Sequence, residues 1–273
     1  ITPDFEFSAS MIGRYLECPK KFYYSRLLHL EDKENINLII GSIEHEIMQG
    51  IYSGIQESIF NEARVTEVID TVWERYRDRF DNEVDEGIWR DYVIGRIKDY
   101  IESFGHIRGN QVITEEAFKF TLDNKYVFTG RIDRIDIRDE GDEIIDYKKG
   151  GSGKHQALIN KFKKDDKDYQ LPIYYYAVKE LLGMNPTSFS YIILDFNNKR
   201  ICEKVQIPIK PGNEEINTKT LNAEVLRETK NKLLRICDEM LGKRISFERG
   251  EKAECRNRYG GYDCEFLPIC NKS

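Results

Sequence analysis

Two short β-rich segments joined by a tight turn constrain this chain more than anything else in it. The first, Gly130-Arg131-Ile132-Asp133-Arg134-Ile135-Asp136, sets the β-branched Ile132 and Ile135 among charged residues, and the second runs Ile144-Ile145-Asp146-Tyr147-Lys148. Between them Asp139-Glu140-Gly141-Asp142 is turn chemistry, so the two segments read as the arms of a hairpin. Side chains two apart on a strand share a face, which sets Asp146 beside Lys148. If the pairing also sets Asp133 beside Asp146, two carboxylates and one ammonium converge on a point. A hard divalent cation with a lysine next to it is what hydrolysis of a phosphodiester requires. Acids on hairpins are also common surface decoration, and Asp136, Asp139 and Asp142 are expected to be that.

The texture of the sequence changes near residue 110. Before it, Ser8 and Ser10 are N-cap candidates for a helix carrying Met11, Ile12, Tyr15 and Leu16, which Pro19 interrupts. Helical spacing returns at about 39–60, 64–80 and 89–105. From Val112 onward strands are expected at about 112–121, 125–138 and 143–148, with an Asp123-Asn124 turn between the first two. A helix near 168–182, strands near 188–196 and 200–208, and a helix at about 220–241 follow. The order predicts an α/β fold with one mixed sheet between helices. The whole chain, 1–273, reads as a single domain: a helical N-terminal region over residues 1–110, a core over 111–241 and a cysteine-rich tail over 242–273.

With 40% apolar and 12% aromatic residues the chain can fill a real core, and its 33% charged residues give a well solvated surface. A net charge of -6 argues against a uniformly basic nucleic-acid-binding surface. The stretch Lys154 to Lys167 nevertheless holds five lysines against two aspartates, either a basic loop beside the hairpin or a solvated one. No apolar run is long enough to span a bilayer and no signal pattern opens the chain, so the expectation is a cytoplasmic protein without membrane contact. The first residue, Ile1, suggests a processed chain or a domain excised from a longer one.

Further polar residues sit at helical spacing around the hairpin. Gly41-Ser42-Ile43-Glu44-His45 sets a glycine and a histidine on one helical face, where glycine permits close approach and imidazole can ligate a metal. Gln170 and Tyr174 are likewise four apart, able to hydrogen-bond a phosphate, a base or the lysine, and equally able to anchor their helix to the sheet. Of six cysteines, Cys202 and Cys237 stand alone and read as core. Cys255, Cys264 and Cys270 cluster near the C-terminus, and Cys18 is available as a fourth member. In a cytoplasmic chain these are ligands or plain core residues rather than disulfides. Gly151-Ser152-Gly153-Lys154 is not a Walker loop, because His155 follows the lysine and Lys148 stands where the leading glycine belongs.

In this order, Gly-x3-His, Gly-x-Ile-Asp-Arg-Ile-Asp, Asp-Tyr-Lys and Gln-x3-Tyr, the sequence resembles the PD-(D/E)XK nuclease superfamily, specifically the RecB and AddB type nuclease domain. Phe7 through Phe22 is also similar to that family's N-terminal segment, so the likeness covers nearly the whole chain. The resemblance implies a restriction-endonuclease-like sheet with an N-terminal helical subdomain. It also implies Mg²⁺ or Mn²⁺ on His45, Asp133, Asp146 and the Tyr147 carbonyl. Lys148 would then orient the attacking water or steady charge on the phosphate, with Gln170 and Tyr174 beside it. It further implies a [4Fe-4S] cluster on Cys18, Cys255, Cys264 and Cys270, with tetrahedral zinc as the competitor. Eight residues separate Cys255 from Cys264 where the family commonly has two, a departure in the spacing. The implied function is metal-dependent DNA cleavage, as an exonuclease on single strands or ends in recombinational repair, with a helicase module or subunit as partner. The alternatives are a CRISPR-associated nuclease of the same superfamily and a non-catalytic DNA-binding scaffold.

Overall fold

The computed structural model describes residues 5–30, 36–53, 62–105, 109–149, 169–196, 201–212, 214, 220–242, 248, 250, 255 and 264–270. The glycine-rich stretch and the basic stretch 154–167 lie outside the described residues. The chain opens with β1 (Glu6–Phe7), α1 (Ala9–Glu17), α2 (Pro19–Phe22) and a wide helical turn over Tyr23–Leu27. Ser8 caps α1, accepting from the Met11 N–H at 3.3 Å. Pro19 does what its ring dictates: Cys18 before it is extended, and α2 starts on the proline.

Three long helices follow: α3 (Ile36–Tyr52), α4 (Glu62–Glu74) and α5 (Glu83–Phe104). Helix α3 exists to bury one stripe, with Ile40, Ile43, Ile47 and Ile51 at helical spacing and 0–1% exposed. Asn82 caps α5 through the N–H groups of Val84 and Asp85, and Glu83, Asp85 and Glu86 complement its positive end. The sheet comprises β2 (Gln111–Leu122), β3 (Tyr126–Ile137), β4 (Asp142–Lys148), β5 (Pro186–Phe196), β6 (Ile201–Lys210) and β7 (Leu221–Asn222). Helix α6 (Gln170–Leu182) lies between β4 and β5 in sequence, α7 (Ala223–Leu241) follows β7, and a short α8 (Leu267–Cys270) ends the described chain. Asp123 and Asn124, the central residues of the tight turn in which the Lys125 N–H donates to the Leu122 carbonyl at 3.1 Å, both have φ 53°.

The strand order is β1-β3-β4-β5-β6-β7, with β2 on the other edge of β3. β4 and β5 are parallel, joined across α6, while β2–β3, β3–β4 and β5–β6 are antiparallel. This is the mixed sheet between helices that the residue order implies. Alternation sends Ile144 into the core beneath α1, α6 and α7, and its neighbour Ile145 into the core beneath α3, α4 and α5. Each fully buried aromatic or aliphatic side chain in these layers contributes about 1.5–3 kcal/mol. At Gly130 a Cβ would lie 2.6 Å from the Phe118 ring, so only glycine lets that ring cross β3. Among the described residues no helix is long and apolar enough to cross a membrane.

The face of the sheet beneath α3 and α5 also carries buried charge. Arg134, 0% exposed, forks onto Asp136 at 2.5 and 2.7 Å and donates to the Tyr100 hydroxyl at 2.9 Å, with the Tyr52 ring 3.9 Å from its guanidinium. Asp136 is therefore not the surface acid expected from the sequence, because a paired arginine makes its full burial tolerable. Asp139 is exposed, as expected. Arg138 extends the network from Asp136 to Glu143, which also takes Lys204, Gln206 and Ser190. Cys202 and Cys237 are core residues, 6% and 0% exposed.

Candidate active site

The chemistry-bearing residues meet where two strands part. The β3–β4 ladder pairs Asp136 with Glu143, Ile135 with Ile144 and Arg134 with Ile145. The next rung would join Asp133 to Asp146, and there the strands diverge. β4 stays zipped to β5 as far as Lys148 opposite Ile193, while the start of β3 pairs instead with β1. The Tyr147 N–H thus loses its strand partner, and Asp133 Oδ2 accepts it at 2.9 Å. Asp133 and Asp146 are both buried beside this fork.

Helix α3 supplies His45 from the face opposite its isoleucine stripe. Its Nδ1 stands 3.5 Å from Asp133 Oδ1 and 3.9 Å from Glu115 Oε1, and its ring meets Tyr147 edge-on. Burial alone lowers the imidazole pKa, but hydrogen bonding to Asp133 and Glu115 outweighs it and raises the value to about 10. His45 is therefore charged at neutral pH, and a metal ion binding there displaces a proton. One ligand atom from each of His45, Glu115 and Asp133 lies within 4.8 Å of the others. An imidazole and two carboxylates fit a hard or borderline divalent cation.

Glu115 is absent from the sequence-based site. It sits in β2 with φ 51°, a left-handed backbone that glycine prefers, and the β2–β3 register passes from Thr114·Arg134 to Glu116·Ile132, leaving Glu115 unpaired opposite Asp133. Arg131 reaches its carboxylate at 3.3 Å. The sequence holds one hint, the tandem Glu115-Glu116 that breaks polar and apolar alternation in the strand.

On the α6 side, Asp146 and Lys148 do share a face, with Nζ 2.6 Å from Asp146 Oδ2. Gln170 ties them together: its Nε2 donates to Asp146 Oδ1 at 2.6 Å, and its Oε1 accepts from Lys148 Nζ at 2.8 Å. Tyr174 OH lies 2.8 Å from the same amide nitrogen. The structure therefore gathers His45, Asp133, Asp146, Tyr147, Lys148, Gln170 and Tyr174 around one fork, with Asp146 turned to Lys148 rather than into the His45–Glu115–Asp133 group. Burial drives the Asp146 carboxyl well above the ordinary range against the pull of Lys148, and Asp133 adds to the rise.

The cysteines lie at a second place, where the C-terminal segment docks on α1 and α2. Cys18 and Cys255 are buried, the Gly250 N–H points at Cys18 Sγ at 3.5 Å, and the Cys264 N–H donates to the Cys255 carbonyl at 3.0 Å. Lys21 reaches Glu265 at 3.7 Å, and the Tyr24 ring packs on Phe266. Cys270 closes α8. Among the described residues, no three cysteine sulfurs lie within 4.8 Å of one another.

Among curated proteins none matches this sequence. Among solved structures, the fold is similar to a "Putative exonuclease" from Eubacterium rectale, with TM-score 0.51 and 14% identity over 85% of this chain and 80% of that one. The protein SSO0001 also aligns, at 14% identity over 74% of this chain and 87% of that one, with TM-score 0.26. The family model of the PD-(D/E)XK nuclease superfamily matches residues 6–271, taking in the fork, α3, α6 and the docked C-terminal segment alike. The chain belongs to the PD-(D/E)XK nuclease superfamily.

Proposed function

We propose that this nuclease is a divalent-metal-dependent deoxyribonuclease, acting as an exonuclease on single strands or ends in recombinational repair beside a helicase module. The observation that carries the reading is the closeness of His45, Glu115 and Asp133 at the strand fork, next to the Asp146–Lys148 pair. His45, Glu115 and Asp133 would hold Mg²⁺ or Mn²⁺, with Asp146 and the Tyr147 carbonyl at its border. Such an ion supplies Lewis acidity and makes water a competent nucleophile. Lys148, fixed by Gln170, places positive charge where a phosphate would gain negative charge. Gln170 also fixes the Asp146 carboxylate, so both groups meet the substrate preorganised.

The test is digestion of labelled single-stranded, double-stranded and end-blocked DNA with Mg²⁺ or Mn²⁺. Shortening from free ends that Lys148→Ala and Asp133→Asn abolish supports the reading. Cleavage that survives both substitutions removes the site assignment, and no cleavage of any substrate leaves the scaffold alternative.

The cysteine set belongs to the same proposal. Around one tetrahedral zinc, thiolates bonded at about 2.3 Å stand about 3.8 Å apart. Four thiolates suit such a zinc ion equally, so it stays the competitor. A four-iron cube, with one thiolate at each iron corner, spaces its ligands further apart, and the docked C-terminal segment brings cysteines from both ends of the chain to one region. Iron and sulfide in anaerobically purified protein support a [4Fe-4S] clamp, whereas stoichiometric zinc without iron rejects it.

A further inference from the structure

Tyr147 lies between Asp146 and Lys148 on β4, and two consecutive residues of β3 hold it at both ends. Asp133 Oδ2 takes its backbone N–H at 2.9 Å, and Arg134 Nη1 donates to its hydroxyl at 3.4 Å. Arg134 stands on the last rung of the β3–β4 ladder, opposite Ile145, and alternation puts Tyr147 on the same face as Ile145. The guanidinium therefore spans from β3 to β4 just past the point where backbone pairing stops. It reaches two helices as well. The Tyr100 hydroxyl of α5 accepts from Nη1 at 2.9 Å, and the Tyr52 ring of α3 lies 3.9 Å from the guanidinium.

Tyr52 follows His45 on α3 by about two helical turns, so the two lie nearly in line along the helix. The Tyr52 hydroxyl pairs with that of Tyr100, and the Tyr147 ring meets both the His45 and the Tyr100 rings edge-on, with centroids 6.1 Å apart in each case. One buried cation thus joins α3 with its His45, β3 with its Asp133 and β4 with its Asp146, and steadies all three against α5. We propose that Arg134 is a positioning residue of this nuclease: a latch behind the sheet that fixes how far β3 and β4 part, and so the spacing of His45, Asp133 and Asp146. The proposal rests on the nuclease reading.

Packing alone does not call for a cation at this place. Arg134 and Asp136 are both fully buried, and a buried ion pair gives up solvation that apolar side chains of similar size would not. What apolar side chains lack is direction. Asp136 takes Nε and Nη2 at 2.5 and 2.7 Å, which fixes the guanidinium plane and leaves Nη1 for the two tyrosine hydroxyls. A lysine would carry the charge without the plane. Arg138 anchors the far side of Asp136 at 3.0 Å and ties it to Glu143 on β4 at 2.5 Å, so the latch is braced on the paired side of the fork. The other fully buried arginine, Arg96, pairs with Glu44 and joins α5 to α3 alone.

Hydrogen exchange in metal-free protein, followed by Mn²⁺ titration, tests the latch. Tyr147→Phe removes one hydroxyl and keeps the ring. Arg134→Met/Asp136→Leu removes the ion pair whole, strands no buried charge and should melt within a few degrees of the unaltered protein. Tyr126→Phe, which takes a buried hydroxyl from Asp238 at the other end of β3, is the control. Exchange of the Tyr147 amide should quicken several-fold in Tyr147→Phe and about tenfold or more in the double variant, with the β5–β6 ladder amides unmoved, because only the fork loosens. Mn²⁺ affinity should fall about 10–100-fold and kcat with it, while KM for an oligonucleotide stays the same. Tyr126→Phe should move none of these. Tyr147 exchange and Mn²⁺ affinity equal to those of the unaltered protein in either latch variant, or exchange that quickens across the whole sheet, overturns the latch. Failure of the nuclease reading would show instead in the unaltered protein, as absence of cleavage and of Mn²⁺ binding, while Tyr147 exchange still decides whether Arg134 holds the fork.

Discussion

Asp133 Oδ2 accepts the backbone N–H of Tyr147 at 2.9 Å, so one carboxylate completes the backbone of the neighbouring strand and faces the imidazole of His45 with its other oxygen. These two duties separate by substitution. Asp133→Asn keeps an acceptor for Tyr147 and should melt within a few degrees of the unaltered protein, while cleavage falls at least about 100-fold. Asp133→Ala also strands a buried N–H and should cost a further 1–3 kcal/mol or so. Equal melting of the two variants would show that the carboxylate does not hold the fork.

Lys148 and Gln170 should differ in the size of their effects. Lys148→Ala removes charge at the reacting phosphate and is expected to lower kcat by about 100-fold or more, with KM little changed. Gln170→Leu acts through Asp146, Lys148 and Tyr174 and should cost about 10–100-fold. Steady-state cleavage of a defined oligonucleotide measures both, and a Gln170 variant as poor as the Lys148 variant would give the amide a direct role.

Glu115 trades backbone comfort for its carboxylate. At φ 51° a non-glycine residue stores about 1 kcal/mol of strain, which Glu115→Gly should return as stability. The same change removes a ligand and should weaken Mn²⁺ binding by about 10–100-fold. Denaturant midpoints and metal titration should therefore move in opposite directions, and a metal affinity equal to that of the unaltered protein would exclude Glu115 from the centre.

Glu143 predicts acid sensitivity. Burial raises its pKa, but Lys204, Ser190 and Arg138 together outweigh burial and leave it below the usual 4.5. A folded-state value below the unfolded one means that the stabilisation is complete above about pH 4.5 and is lost as pH falls through the folded value. Glu143→Gln should flatten that acid limb and, by leaving Lys204 and Arg138 short of a partner, cost about 3 kcal/mol at neutral pH. Denaturant titrations from pH 3 to 7 compare the two slopes, and parallel curves would contradict the assignment.

The hairpin was legible because turn residues and alternation are local, and the two-residue spacing of Asp146 and Lys148 fixes their shared face without any tertiary knowledge. Gly41-x3-His45 and Gln170-x3-Tyr174 were legible for the same reason, since helical spacing alone places each pair. What escaped depends on contacts far apart in sequence. Asp136 reads as a surface acid until Arg134 is seen buried against Tyr52 and Tyr100. Glu115 is one acid among many until its backbone turns left-handed opposite Asp133. The parting of β3 from β4 after Arg134 and Ile145 has no local signal, because both strands continue with residues that suit a sheet.

That parting has a consequence for how such a site can be lost. A strand pair that closed two rungs further, to Tyr147 opposite Ile132, would satisfy the Tyr147 amide with a carbonyl, free Asp133 from its structural duty and make a more regular sheet. Every improvement would be structural, and the opening in which ligands and lysine converge would be gone. Substitutions that favour ordinary strand pairing around Asp133 are therefore a route to a well-folded, inert protein, in which stability measurements alone would register a gain.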